Sequence, residues 1–410
     1  MNRQQPASPF SPIAIGPLTL KNRFIKAATN EGMSAQGLPS KQLVKLNAAL
    51  AAGGTALTTV AYCAVSSDGR TLPNQLILEP RSVPHFKALT DAVHSEGGLA
   101  SAQITHGGCF TFIRERSTRR PLSSSGGFNK VGMLSGMFLK QKMTEADMQQ
   151  VIREFAQGAR LAREAGFDAV EIHMGHGYLL SQFISPLYNK RRDQYGGSLQ
   201  NRLRFPRRVL RAVLDAVGKD LAVICKYSIT DGVRAGNSAE DGAEIARQLE
   251  AEGAHLLVLS AGMNVESITT MFGSSFPKEN RVQQKNPVIA LAMAIQRLND
   301  PVVEFHELYL LEHARKVRAA VQMPLAYLGG AKSLASIEQV MAEGFDLIAM
   351  GRVLLAEQDY VNRLASGASR DSICTACNRC VAMMYTPGGT SCVLGPPGDA
   401  ELNRQPAAGQ

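Results

Sequence analysis

Tryptophan is absent from the 410 residues, which by itself excludes no class of function. Cysteine is scarce: seven thiols, an odd number, are too few for a disulfide-stapled secreted scaffold, so a reducing, cytoplasmic setting is expected. Long apolar runs are also missing. The longest candidate, Val288–Ile295, falls far short of the roughly 20 residues a membrane helix needs, and Met1–Pro12 has no apolar core of a secretory signal. A soluble protein without a membrane partner is therefore expected. Nor is there a block of like charge. The 44 Lys and Arg against 35 Asp and Glu leave +9 spread along the chain, a mildly basic surface that favours anionic partners without singling out nucleic acid. A chain with 45% hydrophobic residues can build a large core, and its length suits two or three ordinary domains or one long alternating α/β barrel with extensions.

Eight strand-like runs alternate with helical patterns up to about residue 366: Arg23–Ala28, Ala56–Tyr62, Leu99–Ile104, Asp168–His173, Ala222–Tyr227, His255–Ser260, Leu325–Leu328 and Asp346–Met350. Thr144 with Asp147, Ser238 with Asp241, and Ser333 read as helix N-caps. Gly166, Gly253 and Gly344 stand where helices should stop before the next strand. Continuous apolar runs such as Leu256–Leu259 fit parallel strands covered on both faces. Eight successive units predict a TIM (β/α)8 barrel over residues 1–366, with a doubly wound open sheet as the alternative. Residues 367–410 are rich in Gly, Pro and Ala, hold four of the seven cysteines, and are expected to pack on the barrel as a short tail.

A barrel should collect its chemistry where strands end and the following loops begin. Asn30, Glu31, Gln103, His106, His173, His176, Tyr178, Lys226, Gly329, Gly330, Gly351 and Arg352 all occupy such positions. Two long connections, Thr105–Met143 and Ala261–His306, leave from the same face and read as lids or substrate walls.

The most informative stretch is Val170–Phe205, VEIHMGHGYLLSQFISPLYNKRRDQYGGSLQNRLRF. His173 at a strand end and His176 three residues on can aim two N–H donors at one carbonyl oxygen, and the Tyr178 phenol can deliver a proton beside them. The same spacing also suits two satisfied structural histidines or a metal site. In its HxxHGYL core, its QFISP segment and its DxYGGSxxNRxRF run, the stretch closely resembles the signature of the old yellow enzyme family of FMN-dependent oxidoreductases. The opening LTLKNRFIKAA and the AQITHGG of the third strand extend the resemblance over residues 10–366.

The resemblance implies an FMN barrel that takes hydride from NAD(P)H and reduces the activated C=C bond of an enone or enoyl substrate. His173 and His176 then hold the carbonyl, and Tyr178 protonates the α-carbon. For FMN it implies Gly329, Gly330, Gly351 and Arg352 at the phosphate, Gln103 and Lys226 at the pyrimidine edge, and Ala28, Thr29 and Asn30 beside the O4/N5 edge, with Ala61 leaving room for the ring. There are departures. Many relatives carry arginine where Lys226 stands, and commonly a Pro-Met pair followed by Thr or Cys where this chain reads Ala28, Thr29, Asn30.

The connection Thr105–Met143 has seven basic residues, Arg114, Arg116, Arg119, Arg120, Lys130, Lys140 and Lys142, against Glu115 alone. It reads either as a solvated loop or as a lid that attracts the NADPH 2′-phosphate or an acyl-CoA. The tail cysteines run Cys374-x2-Cys377-x2-Cys380-x11-Cys392, a spacing that suits a 4Fe-4S cluster or a zinc site. It resembles the 2,4-dienoyl-CoA reductase and trimethylamine dehydrogenase branch of the family, so a dienoyl-CoA or amine oxidoreductase with a cluster relay is the alternative activity. That branch continues into a nucleotide-binding region, whereas this sequence has no GxGxxG after Cys392; a cluster would need an external electron donor or be structural, and unmetallated thiols stay open. An RNA-modifying flavin barrel or a silent interaction protein is the remaining alternative, and a homo-oligomer is left open.

Overall fold

The structure, a computed structural model, describes residues 7–277, 302–385 and 388–395. Eight parallel strands close into a barrel: β1 (Phe24–Lys26), β2 (Leu57–Ala64), β3 (Leu99–Thr105), β4 (Ala169–Met174), β5 (Ala222–Ser228), β6 (Leu256–Ser260), β7 (Leu325–Tyr327) and β8 (Leu347–Met350). Each grows from one of the eight expected runs. Pairing of β8 with β1 closes the ring, which overturns the open-sheet alternative.

Outside lie α1 (Lys41–Ala52), α2 (Val83–Ser95), α3 (Glu145–Glu164), α4 (Leu199–Val217), α5 (Ala239–Ala251), α6 (Leu311–Arg318), α7 (Leu334–Ala342) and α8 (Tyr360–Ala365). The capping residues act as their chemistry predicts. Thr144, Ser238 and Ser333 accept from the backbone N–H three residues on, while the side chains of Asp147, Asp241 and Ser336 bond back to the cap. Gly166 stops its helix at φ 80°, in the left-handed region that favours glycine.

The pleat separates two faces. Val170, Ile172, Val223, Cys225 and Tyr227 point outward into the main core beneath the helices. On the inner face Ala169, Ala222, Ile224, Leu256, Val258 and Ala326 form an apolar plug at the N-terminal end, completed by an antiparallel hairpin, Ile13–Ile15 with Leu18–Leu20. The hairpin turns at Gly16 (φ 54°), where a Cβ would stand 2.6 Å from the His255 ring. Two residues further along the same inner faces the chemistry changes: Lys226 follows Ile224, and Glu171 then His173 follow Ala169. These three are nonetheless buried.

The connection Thr105–Met143 is more than a loop. It holds short strands Leu122–Ser123, Gly127–Phe128 and Leu139–Lys142 in one small sheet and a turn of 3₁₀ helix at Val131–Ser135. Elements of two to four residues carry too little alternation to be read from sequence. Residues 278–301 of the second long connection lie outside the described residues. Beyond α8 the chain turns back on the barrel, with the Leu334 N–H donating to Arg370 O and the Ser372 N–H to Lys332 O. Among the described residues no helix is long and apolar enough to cross a membrane.

Candidate active site

Strand β4 delivers His173 to the mouth of the barrel, and the following turn brings His176 back beside it. The rings stand perpendicular with centroids 5.0 Å apart, and His173 Nε2 lies 3.3 Å from His176 Nδ1. Their hydrogen bonds fix the tautomers. The Gly175 N–H donates to His173 Nδ1 at 3.2 Å, so the His173 proton sits on Nε2 and faces His176. His176 Nδ1 accepts it, and His176 Nε2–H is left to donate to Ser260 Oγ at 2.8 Å. A chain of donors thus runs from His173 to β6. Burial, and after it the neighbouring His176 and Lys226, holds the His173 pKa well below the ordinary histidine value; burial and Lys226 do the same for His176. Both are neutral imidazoles. A carbonyl oxygen entering between them takes the His173 proton in place of His176 Nδ1. His176 has φ 62°, which a non-glycine residue adopts only when its surroundings hold it there.

Tyr178 caps the short helix Leu179–Ile184, its ring centroid 4.6 Å from His173. It packs in one small cluster with Ala28, Ala61 and Tyr62, with Phe110 edge-on at 5.5 Å. The ends of β1, β2 and β4 therefore meet. Lys226 reaches across the mouth to Ala28 O at 3.1 Å and is opposed by Glu171, which accepts from Gln103 Nε2 at 2.7 Å. Burial raises the Glu171 pKa and lowers that of Lys226, and their mutual attraction works against both shifts. Register explains the meeting: Gln103 lies opposite Glu171 across β3 and β4, and Lys226 opposite His173 across β4 and β5.

Thr29 and Asn30 are nearby but committed. Thr29 Oγ1 accepts from Lys26 Nζ at 2.7 Å and donates to Glu31 Oε1 at 2.5 Å, so toward any ligand it can only accept. The Asn30 carbonyl oxygen Oδ1 accepts the Gly32 N–H. Gly329 and Gly330 follow β7, and Gly351 follows β8, where a Cβ would sit 3.4 Å from the Thr29 methyl. The rings of Phe305 and Tyr309 lie against Gly330. Arg352 stands between the Phe272 and Phe305 rings and donates to Phe272 O, Ala376 O, Ser274 Oγ and Asn378 Oδ1. It links the end of β8 to the cysteine-bearing segment.

These residues fit a flavin. Two buried polar atoms near the mouth have no protein partner among the described residues: Thr105 Oγ1, on the inner face one pleat above Gln103, and Asn264 Nδ2, whose backbone N–H donates to His176 O. Buried polar atoms left this way call for a polar ligand or water.

The cysteines behave differently. Cys374 and Cys380 are buried, Cys377 and Cys392 half-buried, and all are free thiols. Burial, then the neighbouring Cys374, Cys392 and Cys377, pushes the Cys380 thiol up to about 12. The four share one region, yet no group of three or more His, Cys, Asp or Glu side chains among the described residues is arranged to hold a metal ion. Between Cys374 and Cys380 the chain turns at Ala376 (φ 55°) and Asn378 (φ 59°), whose carbonyl and side chain bond Arg352 and Ser274.

Sequence reasoning passed over Glu171, Ser260, Asn264 and Tyr62. The strand-end rule reaches Ser260 and Tyr62. Glu171 lies within a strand and Asn264 in an irregular loop, and only packing shows that they face the mouth.

A closed barrel with a buried cation, a neutral histidine pair and a tyrosine at its C-terminal mouth defines a flavin-type oxidoreductase scaffold. Residues 8–371 match the NADH:flavin oxidoreductase / NADH oxidase family. The chain belongs to this family, that of the old yellow enzymes, and is an oxidoreductase. It is 40% identical over 390 residues to the 4,4′-dithiodibutanoate disulfide reductase of Rhodococcus erythropolis, covering 94% of each chain. It is 27% identical over 361 residues to the multifunctional alkene reductase/demethylase of Caballeronia cordobensis, covering 87% of this chain and 49% of that protein. In fold it is similar to 2-naphthoyl-CoA reductase solved with 2-naphthoyl-CoA, with TM-score 0.80 at 24% identity, covering 98% of this chain and 59% of that one. It thus spans about half the length of some relatives and nearly all of another.

Proposed function

We propose that the protein is an FMN-dependent NAD(P)H oxidoreductase that reduces the activated C=C bond of α,β-unsaturated carbonyl compounds. The observation that carries this reading is the buried, neutral His173–His176 pair with Tyr178 4.6 Å from His173. FMN would be held by Gln103 and Lys226 at its pyrimidine edge, by Ala28, Thr29, Asn30 and Ala61 around the ring, and by Gly329, Gly330, Gly351 and Arg352 at the phosphate. When bound, it supplies the hydride equivalent drawn from NAD(P)H.

The protein's own part is binding and proton handling. His173 Nε2–H donates to the carbonyl oxygen, and His176 joins it as a donor from Nδ1 when its proton leaves Nε2 and the Ser260 hydroxyl turns to donate to that nitrogen, which concentrates the positive end of the enone at its β-carbon. Because both imidazoles stay neutral, they orient and polarise the carbonyl without protonating it. Tyr178 holds the proton that the α-carbon receives, so one NAD(P)H and one proton yield NAD(P)⁺ and the saturated carbonyl.

Purified protein should oxidise one NADPH or NADH per 2-cyclohexenone reduced. Changing His173→Ala together with His176→Ala should cut this turnover by roughly 10³-fold or more while flavin absorbance is retained; unchanged turnover refutes the donor role. Tyr178→Phe should slow reoxidation of the reduced enzyme by the enone by about 10²-fold or more and leave reduction by NAD(P)H untouched.

A second reading is favoured by the 40% identity to the dithiodibutanoate disulfide reductase across 94% of both chains. There the acceptor is an S–S bond flanked by carboxylates: NAD(P)H and one proton give two thiols, Tyr178 protonates the departing thiolate, and the exposed Arg114, Arg119 and Arg120 suit the two carboxylates. Supplying 2-cyclohexenone and 4,4′-dithiodibutanoate in parallel, and following saturated ketone against released thiol, separates the readings.

A further inference from the structure

The pairing of β2 with β3 slips between Val60 and Cys63, so Ala61 and Tyr62 sit in a bulge instead of continuing the ladder. Bulges beside active sites re-aim side chains. This one turns Tyr62 into the mouth, where its ring stands 5.4 Å from that of Tyr178. The Tyr62 hydroxyl meets Thr71 Oγ1 at 2.7 Å and also hydrogen-bonds Tyr178 and Asn30. Thr71 is itself fixed, its N–H and hydroxyl donating to Gln75 Oε1 at 2.5 and 3.0 Å, while Gln75 Nε2 donates back to Tyr62 O at 3.1 Å. With the Thr71 proton committed to Gln75, Thr71 Oγ1 accepts from Tyr62.

We infer that Tyr62 is a positioning residue for the proton donor: its hydroxyl holds Tyr178 in place and stabilises the phenolate that Tyr178 becomes on giving up its proton. The inference rests on the reading of Tyr178 as the acid. The step balances simply. Tyr178 passes its proton to the substrate, Tyr62 keeps its own and turns it from Thr71 to the phenolate oxygen, a stronger acceptor because it is charged, and Tyr178 regains a proton from solvent water after product leaves. Burial keeps the Tyr62 phenol protonated, its pKa raised above the ordinary tyrosine value. Three polar partners on one buried phenol exceed what packing an aromatic ring requires.

The test is rapid-mixing reoxidation of the NADPH-reduced holoenzyme by 2-cyclohexenone over a range of pH. Tyr62→Phe should slow reoxidation about 10- to 100-fold, since a hydrogen bond to a charged group is lost. It should also move the alkaline limb of the rate profile up by about one pH unit, because the phenolate loses a donor that favoured it. Reduction by NADPH should be unchanged. Thr71→Val, which leaves both tyrosines in place and removes the acceptor that competes for the Tyr62 proton, should move the limb down in a smaller step, and decides the matter if Tyr62→Phe fails to retain flavin. An unmoved rate and limb in these variants, or equal slowing of both half-reactions, overturns the inference. Tyr178→Phe run in parallel separates the two failures: if it slows reoxidation and Tyr62→Phe does not, only the role of Tyr62 falls; if Tyr178→Phe has no effect, the acid assignment falls and this inference with it.

Discussion

The two ends of the barrel are built from the same strands and do opposite things. At the N-terminal end Ala222, Ile224, Leu256 and Val258 interlock with Ile15 and Leu20 of the hairpin in an apolar cluster. At the other end, one pleat further along β4 and β5, Glu171, His173 and Lys226 are each no more than 4% exposed. Apolar burial stabilises by roughly 25 cal/mol per Å² of area removed from water, whereas buried charges cost free energy unless they are paired. One end supplies stability that the other uses.

That contrast can be broken from either side. Leu256→Ala, at the closed end, should lower unfolding free energy by about 2–5 kcal/mol in urea titrations while turnover of the folded, flavin-loaded enzyme is kept; lost turnover at unchanged stability would reverse the roles of the two ends. A slightly smaller effect comes from His106, just beyond β3, where burial lowers the imidazole pKa to about 4. The unfolded chain then binds a proton that the folded one refuses, so stability present above the unfolded value of about 6.5 is lost as pH falls toward 4, by up to about 3 kcal/mol. His106→Gln should flatten that acid slope, and an identical slope would place the acid sensitivity elsewhere. The smallest effect concerns the lid. Lys142 is already paired with Asp193 at 3.2 Å, which leaves exposed Arg114, Arg119, Arg120 and Lys130. Raised ionic strength should weaken the apparent affinity for NADPH a few-fold more than that for NADH, and equal sensitivity would return the lid to a solvated surface.

Much of the barrel was legible because its signals are local. A strand covered on both faces must be apolar throughout, as Leu256–Leu259 is, and a helix must cap its first turn, as Thr144 does with Asp147. Burial left no such trace at Glu171. Nothing in the run VEIH tells an inward carboxylate from a surface one until Gln103 stands opposite it. Tyr62 closes the expected second strand and so lies within reach of the strand-end rule, but only the bulge turns its ring into the mouth. The spacing of the four tail cysteines suits a common metal centre; that the turns between them bond Arg352 and Ser274 is something no spacing encodes.

The sequence by itself determined the eight alternating units, the family, and the placement of His173, His176 and Tyr178 after the fourth strand, since these depend on periodicity and on residues close together in the chain. Only the tertiary structure decided which protons the two histidines carry, that Lys226 faces Glu171, and that Tyr62 meets Tyr178. Each of these depends on the distance between strands far apart in sequence, and that distance is set when the sheet closes.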